Sequence, residues 1–297
     1  MKKVLLGLIL LIPFFSFCQI NVADSTVQVI TYWDKHEKMI YDIATSKAKV
    51  KGNDTIFTQK ANFKVDIEVL DSTATSYTVQ WKYKDYVSLL SDESAELLAN
   101  LYNGLTIKFT TDELGTFDKL LNWKEIKEHN ERVFSGLQGK TNSQEILGKM
   151  LRKQFSSQQA IEEHSIKEIQ LFHSFNGIGM KEGEVIEENV SKETFIGESV
   201  NSDITVELTE IDYENNTYII KYWEDFEGES VIKLINSLFP FFKDEFEKSI
   251  GDDMYLNDFM GANIHETGWP LYLIYERTLS FDENHMYYEQ CTISLEE

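Results

Sequence analysis

The chain has 297 residues, 42% of them hydrophobic and 26% charged, with a formal net charge of −22. That is ample apolar material for a core, and the acidic excess repels nucleic acid and anionic lipid headgroups, which argues against both as partners. The acidic residues are spread along the sequence and not gathered in a tail, so they read as a solvated surface.

Lys2 and Lys3 precede an uninterrupted apolar run from Val4 to Phe15, and Ser16, Phe17 and Cys18 follow as small-x-small. This is the pattern of a signal peptide cleaved before Gln19. The run has about twelve residues where a membrane-spanning helix needs roughly 20, and no later stretch is long enough to span a bilayer. A lipoprotein reading of Cys18 competes, but Phe17 and Phe15 stand where a lipobox wants a small residue and Leu. Cleavage leaves Cys291 as the only cysteine of the mature chain, a small buried hydrophobe in an apolar stretch, so no intramolecular disulfide is expected. Loss of Lys2 and Lys3 makes the mature chain two charges more negative. The expected location is the periplasm or cell surface.

Strand-like sequence runs from Ile40 to Val50 and turns at Gly52, Asn53 and Asp54. Phe63, Val65, Ile67 and Val69 then alternate with charged residues, and after a turn at 71–76 Tyr77, Val79, Trp81 and Tyr83 alternate with polar ones. This is a hairpin with one buried and one wet face. An amphipathic helix follows from near Ser91, with Leu97, Leu98, Leu101 and Tyr102 on one face and Gly104 as its stop; Leu105, Ile107 and Phe109 resume the strand pattern.

A helical middle comes next. Asn122 caps a stretch with Trp123, Ile126, Val133, Phe134 and Leu137 on one face; Ser143 starts a second, and a weaker third runs from Gln158 to about Phe172. Residues 176–183 contain three glycines and read as a turn or linker. The first pattern then recurs: strand from Val185 to Ile196, a hairpin of Ile204, Val206 and Leu208 against Tyr218, Ile220 and Tyr222, and a helix from near Glu229 with Val231, Leu234, Ile235 and Leu238. Pro240 kinks that helix or starts a short one through Phe242 and Phe246. Trp269 to Leu279 and His285 to Leu295 form a closing hairpin. We read an internal duplication: signal peptide 1–18, first β-rich half 19–139, helical connector and linker 140–183, second β-rich half 184–297, with the halves sharing one sheet.

The predicted fold is α+β, a long curved antiparallel β-sheet with covering helices, built from two similar β-hairpin-helix-β halves. Strands of roughly eleven residues reach about 35 Å, and a sheet of such strands must coil, leaving a face for helices to cover.

Patterns for chemistry are weak. The six histidines contain no HExxH, and His265-Glu266 lacks a partner at i+4. Asp212, Glu214 and Asn216 begin like a calcium loop, but Tyr218 and Trp223 break it, leaving a β-turn. Asp252, Asp253 and Asp258 read as a solvated acidic loop with at most weak cation affinity. Ser46 and Lys49 match SxxK but fall on opposite faces of a strand, and Gly177-Ile178-Gly179 lacks the third glycine of a phosphate loop. No metal, no cofactor and no catalytic residue is assigned, and a non-enzymatic protein is expected.

What remains is the aromatic content, 19 Phe, 14 Tyr and 5 Trp. Tyr77, Trp81, Tyr83, Tyr218 and Tyr222 fall on the alternating faces. They are either an aromatic core or the lining of an apolar groove under the helices, and as groove they are the candidate ligand-binding residues.

Ser16-Phe17-Cys18-Gln19, the Lys84-Asp85-Tyr86 segment and Thr267-Gly268-Trp269-Pro270 together resemble uncharacterised secreted proteins of the Bacteroidetes. The sheet with covering helices also looks like the LolA and LppX type of envelope lipid or lipoprotein carrier. The resemblance implies an exported binding protein whose partner is a hydrophobic small molecule, lipid or lipoprotein. The alternative is a structural or interaction module of the envelope, whose acidic surface meets a protein partner.

Overall fold

A computed structural model describes residues 19–89, 92–136, 148–149, 152, 155, 157–193, 198–238, 254–282 and 284–296. The protein is mostly β, with strand the commonest state among the described residues. A small sheet in the order β1-β2-β8 joins Ile20–Asn21, Thr26–Gln28 and Gly179–Lys181. The large sheet has eleven antiparallel strands. One group is β3 (Lys38–Lys51), β4 (Asp54–Ser72), β5 (Ser76–Ser88), β6 (Thr106–Asp112) and β7 (Phe117–Leu120). The other is β9 (Val185–Glu193), β10 (Ser199–Asp212), β11 (Thr217–Phe226), β12 (Tyr255–His265), β13 (Pro270–Asp282) and β14 (His285–Leu295). Their order across the sheet is β7-β6-β5-β4-β3-β14-β13-β12-β11-β10-β9. The helices whose bounds are described are α1 (Asp92–Tyr102), α2 (Trp123–Ser135), α3 (Gln158–Ser165), α4 (Lys167–Phe172) and α5 (Gly228–Leu238). None among the described residues is long and apolar enough to cross a membrane.

Among the described residues the element order strand, hairpin, helix, strand occurs twice, as β3, β4-β5, α1, β6 and as β9, β10-β11, α5, β12, the last in place of the 269–279 stretch that the sequence offers. In each case the four strands are neighbours, and the second set lies six strands along the sheet from the first. An even shift in an antiparallel sheet preserves strand direction, and both helices pack on one face, α1 through Tyr102 on Tyr83 and α5 through Val231 on Val200. The closing hairpin β13-β14 fills the gap between the sets.

Alternation decides which side chains meet the helices. Phe63, Ile43, Ile293, Leu273, Ala262, Ile220 and Leu208 are register partners in a row across seven strands, and all are buried. The strands on either side of this row turn polar residues to the other face, the period-two pattern expected of a sheet covered on one side. Ile161 of α3, Ile169 and Phe172 of α4, and Ile166 between the two helices are buried in the same core. Phe172 meets Tyr41 at 5.2 Å and Trp81 at 5.3 Å, both edge to face.

Two features depart from the sequence reading. Asp258 stands not in a loop but in β12, where Arg277 opposite it on β13 donates two hydrogen bonds to its carboxylate. Asn, Asp and Gly within Tyr255–His265 blur the alternation there and hide the strand. Asn122 precedes α2 but makes no side-chain cap. It accepts from Lys108 N and donates to Thr106 O, extending the ladder of β6. The helix expected from Ser143, and the stretch through Pro240, Phe242 and Phe246, lie outside the described residues apart from a few positions of the former.

Candidate functional site

Between the sheet and its helical cover lies a cavity of about 300 Å³. Its apolar wall comes from Leu98, Leu101 and Tyr102 on α1, Leu105 after it, Phe155, and Tyr83 on β5. The polar wall is Lys47 on β3, Asn130 on α2, Ser165 at the end of α3 and Glu168 on α4.

The local sequence builds this place in steps. Asp85 takes a left-handed φ of 55° where the β4-β5 register shifts between Asn62 and Lys64. A bulge adds residues on one strand and re-aims the side chains beyond it, so Tyr83 and Tyr86, three apart, are both buried. Tyr86 stacks on Tyr102 with ring centroids 4.6 Å apart, which fixes α1 over the sheet. At the helix end Gly104 has φ +81°, a conformation that glycine adopts without strain. There Gly104 N donates to Tyr83 O, and Tyr83 N in turn donates to Leu105 O, both at 2.9 Å. The turn thus pins Leu105 directly to the strand that carries Tyr83.

Burial governs the electrostatics. It raises the Glu168 carboxyl above the ordinary range, opposed by a backbone hydrogen bond and by Lys167. Burial also raises Tyr83 and Tyr102, and the charge of Glu168 adds to both. The Cys291 thiol is pushed up to about 12 by burial first and Glu168 second. His173, packed edge to face against Trp33, Phe109 and Phe172, is pulled down to about 4, because burial disfavours the imidazolium.

Lys47 is also the end of a charged row that crosses the covered face, four residues along each strand from the apolar row. Its register partners run Lys47, Glu289, Arg277, Asp258, Glu224. Glu289 receives Lys47 at 3.3 Å and an ion pair from Lys167 on α4. Burial tends to raise this carboxyl, but the two lysines outweigh it and hold it below the usual range. Glu224, similarly lowered against burial, accepts from Lys192, Ser202 and Tyr222. The row therefore consists of satisfied pairs, with Lys47 shared between it and the cavity.

Of the five aromatics singled out from the sequence, Tyr83 lines the cavity. Tyr77 is buried and donates to Thr31 O at 2.8 Å. Trp81 is fully buried against Phe172. Tyr218 is fully buried and donates to Gln19 Oε1 at 2.8 Å, and Tyr222 is half-buried on Glu224. Sequence reasoning misses Lys47, Asn130, Ser165 and Glu168. Single polar residues on separate elements leave no spacing to detect; the one signal is the apolar face of α1, which needs a partner.

No protein-family model matches the chain, and no curated protein matches it. Two solved structures are similar in part. A lipovitellin structure, described for its lipid–protein interactions, overlaps 90% of this chain and 26% of that one, at 11% identity and a TM-score of 0.46. The chain thus spans about a quarter of that protein's length. A porin-like protein from Bacteroides uniformis overlaps 91% of this chain and all of that one, at 8% identity and a TM-score of 0.17. Overlaps this loose fix neither a family nor a ligand.

Proposed function

We propose that the protein is an exported, non-enzymatic binding protein of the cell envelope that holds an apolar or amphipathic ligand between sheet and helices. The supporting observation is the cavity of about 300 Å³ with leucines and tyrosines on one side and Lys47, Asn130, Ser165 and Glu168 on the other. Small-molecule sites combine a mostly apolar wall with a few polar groups that set orientation, and about 300 Å³ is the lower end of their range. An apolar ligand portion lies against Leu98, Leu101 and Leu105, while a polar end meets Lys47 and Glu168.

Native mass spectrometry and organic extraction of the purified protein test this. The expected result is a co-purifying small molecule, or uptake of a fluorescent fatty-acid probe by the extracted protein. Leu98→Trp, which fills the cavity from α1, should abolish uptake while leaving the circular dichroism spectrum unchanged. A clean apo mass together with no probe uptake sinks the proposal.

A second reading, an interaction module of the envelope, draws on the edge strand β9. Seven of its nine residues, Val185 among them, are exposed, and among the described residues its outer side pairs with no strand. Such an edge can accept a strand from a partner. Mild crosslinking separates the two readings, since a carrier yields small molecules and a module yields a protein.

A further inference from the structure

We infer that residue 19 of the mature protein is pyroglutamate, formed by cyclisation of the Gln19 exposed when the leader is removed. The inference rests on the proposed export and extends it to a covalent modification.

Gln19, joined here to Cys18, is 1% exposed, and its side chain is enclosed. Its carbonyl accepts from Gln28 N at 2.9 Å, which anchors the backbone, and its side-chain Oε1 accepts from the fully buried Tyr218 hydroxyl at 2.8 Å. The other side-chain atom is in difficulty. Nε2 is buried and donates to nothing. It lies against Gly268, whose φ of +85° and neighbours leave no room for a side chain: a Cβ there would stand 2.6 Å from Ile30 O and 3.2 Å from this nitrogen. A buried amide donor without a partner costs about 1–3 kcal/mol. Cleavage before Gln19 adds a second burden, an α-ammonium beside this enclosed side chain, and a charge costs more the less it is solvated.

One reaction removes both. The neutral α-amine of Gln19 attacks its own side-chain Cδ, a bond forms between the α-nitrogen and Cδ, and the bond from Cδ to Nε2 breaks. The nitrogen leaves as ammonia, carrying the proton given up by the amine. No oxidant or co-reactant is consumed. The lactam retains a carbonyl oxygen to accept from Tyr218, lacks the orphaned Nε2, and carries no charge.

The test is the intact mass of the mature protein isolated from the cells that encode and export it, with its N-terminal peptide sequenced by tandem mass spectrometry. The expected species begins at residue 19 and is lighter than the unmodified chain by one ammonia. A chain beginning with unmodified Gln19 overturns this inference and leaves the export reading standing. A chain that begins elsewhere or carries lipid on Cys18 likewise overturns this inference and leaves export standing, whereas a chain that keeps its leader overturns both. Pyroglutamyl aminopeptidase adds an independent check: it should release residue 19 from the unfolded protein and not from the folded one, and release at equal rates would refute the enclosed terminus.

Discussion

Phe172→Ala is the substitution that most directly tests how the cover is fastened to the sheet. Phe172 ends α4, is 4% exposed, and lies among Tyr41, Trp81, Trp33 and Trp269, with ring centroids between 5.2 and 6.4 Å away. A phenylalanine buries roughly 150–250 Å², which at about 25 cal/mol per Å² amounts to about 4–6 kcal/mol as an upper bound. Alanine retains little of this, and measured Phe→Ala costs are about 3–5 kcal/mol. We therefore expect a loss of about 4 kcal/mol. In a chain of this size that lowers Tm by roughly 8–16 °C. Phe172→Leu keeps most of the volume and should lose only about 1–2 kcal/mol, the share due to ring geometry. Urea titrations followed by far-ultraviolet circular dichroism and by tryptophan fluorescence provide the assay, since Trp33, Trp81 and Trp269 surround the site. A loss below about 1 kcal/mol for the alanine variant, with an unchanged m-value, would refute the claim that α4 is held through this ring.

Three further outcomes follow from the same packing. Asp258→Ala strips the bidentate partner from Arg277 and should cost about 2 kcal/mol by urea titration, between an exposed pair and a fully buried one; Asp258→Leu with Arg277→Met should recover most of it. His173 has its folded pKa depressed to about 4, so the unfolded chain takes up a proton that the folded one refuses. The wild type should thus lose stability as pH falls from about 6.5 to about 4, by up to about 3 kcal/mol more than His173→Phe over the same range. Equal pH dependence of the two proteins would contradict a buried neutral imidazole. The Cys291 thiol, buried and raised to about 12, should ignore a disulfide reagent at pH 8 in the folded protein and react fully in urea.

Much of this architecture is legible in the sequence because period two leaves little choice. Phe63, Val65, Ile67 and Val69 can be buried together only on one face of a strand, and all four are buried. The hairpin of β10 and β11 is equally plain from Ile204 to Tyr222. What escapes is whatever interrupts the period. Tyr86 falls out of step with Tyr83, and only the left-handed Asp85 brings both inward. Strand β12 hides Asp258 among small and amide residues, and its charge makes sense only beside Arg277, nineteen positions on and on the neighbouring strand. The polar wall of the cavity is harder still. Lys47 lies in an alternating strand, Asn130 and Glu168 in amphipathic helices, and each alone reads as a surface residue.

The sixfold strand shift gives the two halves the same direction, and their helices share a face, yet they are finished differently. In the second, Val231 of α5 packs with Val200 and Met254, and Phe226, Leu256 and Leu279 join them in an apolar cluster of its own. In the first, α1 presents Leu97 and Leu101 to Phe134 of α2 as well as to the sheet, and α3 and α4 add Ile161, Ile169 and Phe172 to the sheet's core. A helix shared between two neighbours cannot fill the space beneath it as closely as one packed on a sheet alone, because its apolar stripe is divided. The cavity lies where these elements converge, and the polar residues on its wall are those that each contributes at the edge of its own stripe. The charged row then sets a boundary: it crosses the covered face from Lys47 to Glu224 in paired form, so an apolar ligand portion gains nothing by extending over it. For the ligand proposed above, this geometry favours a tail on the α1 side of Lys47 and a headgroup, where there is one, facing the row.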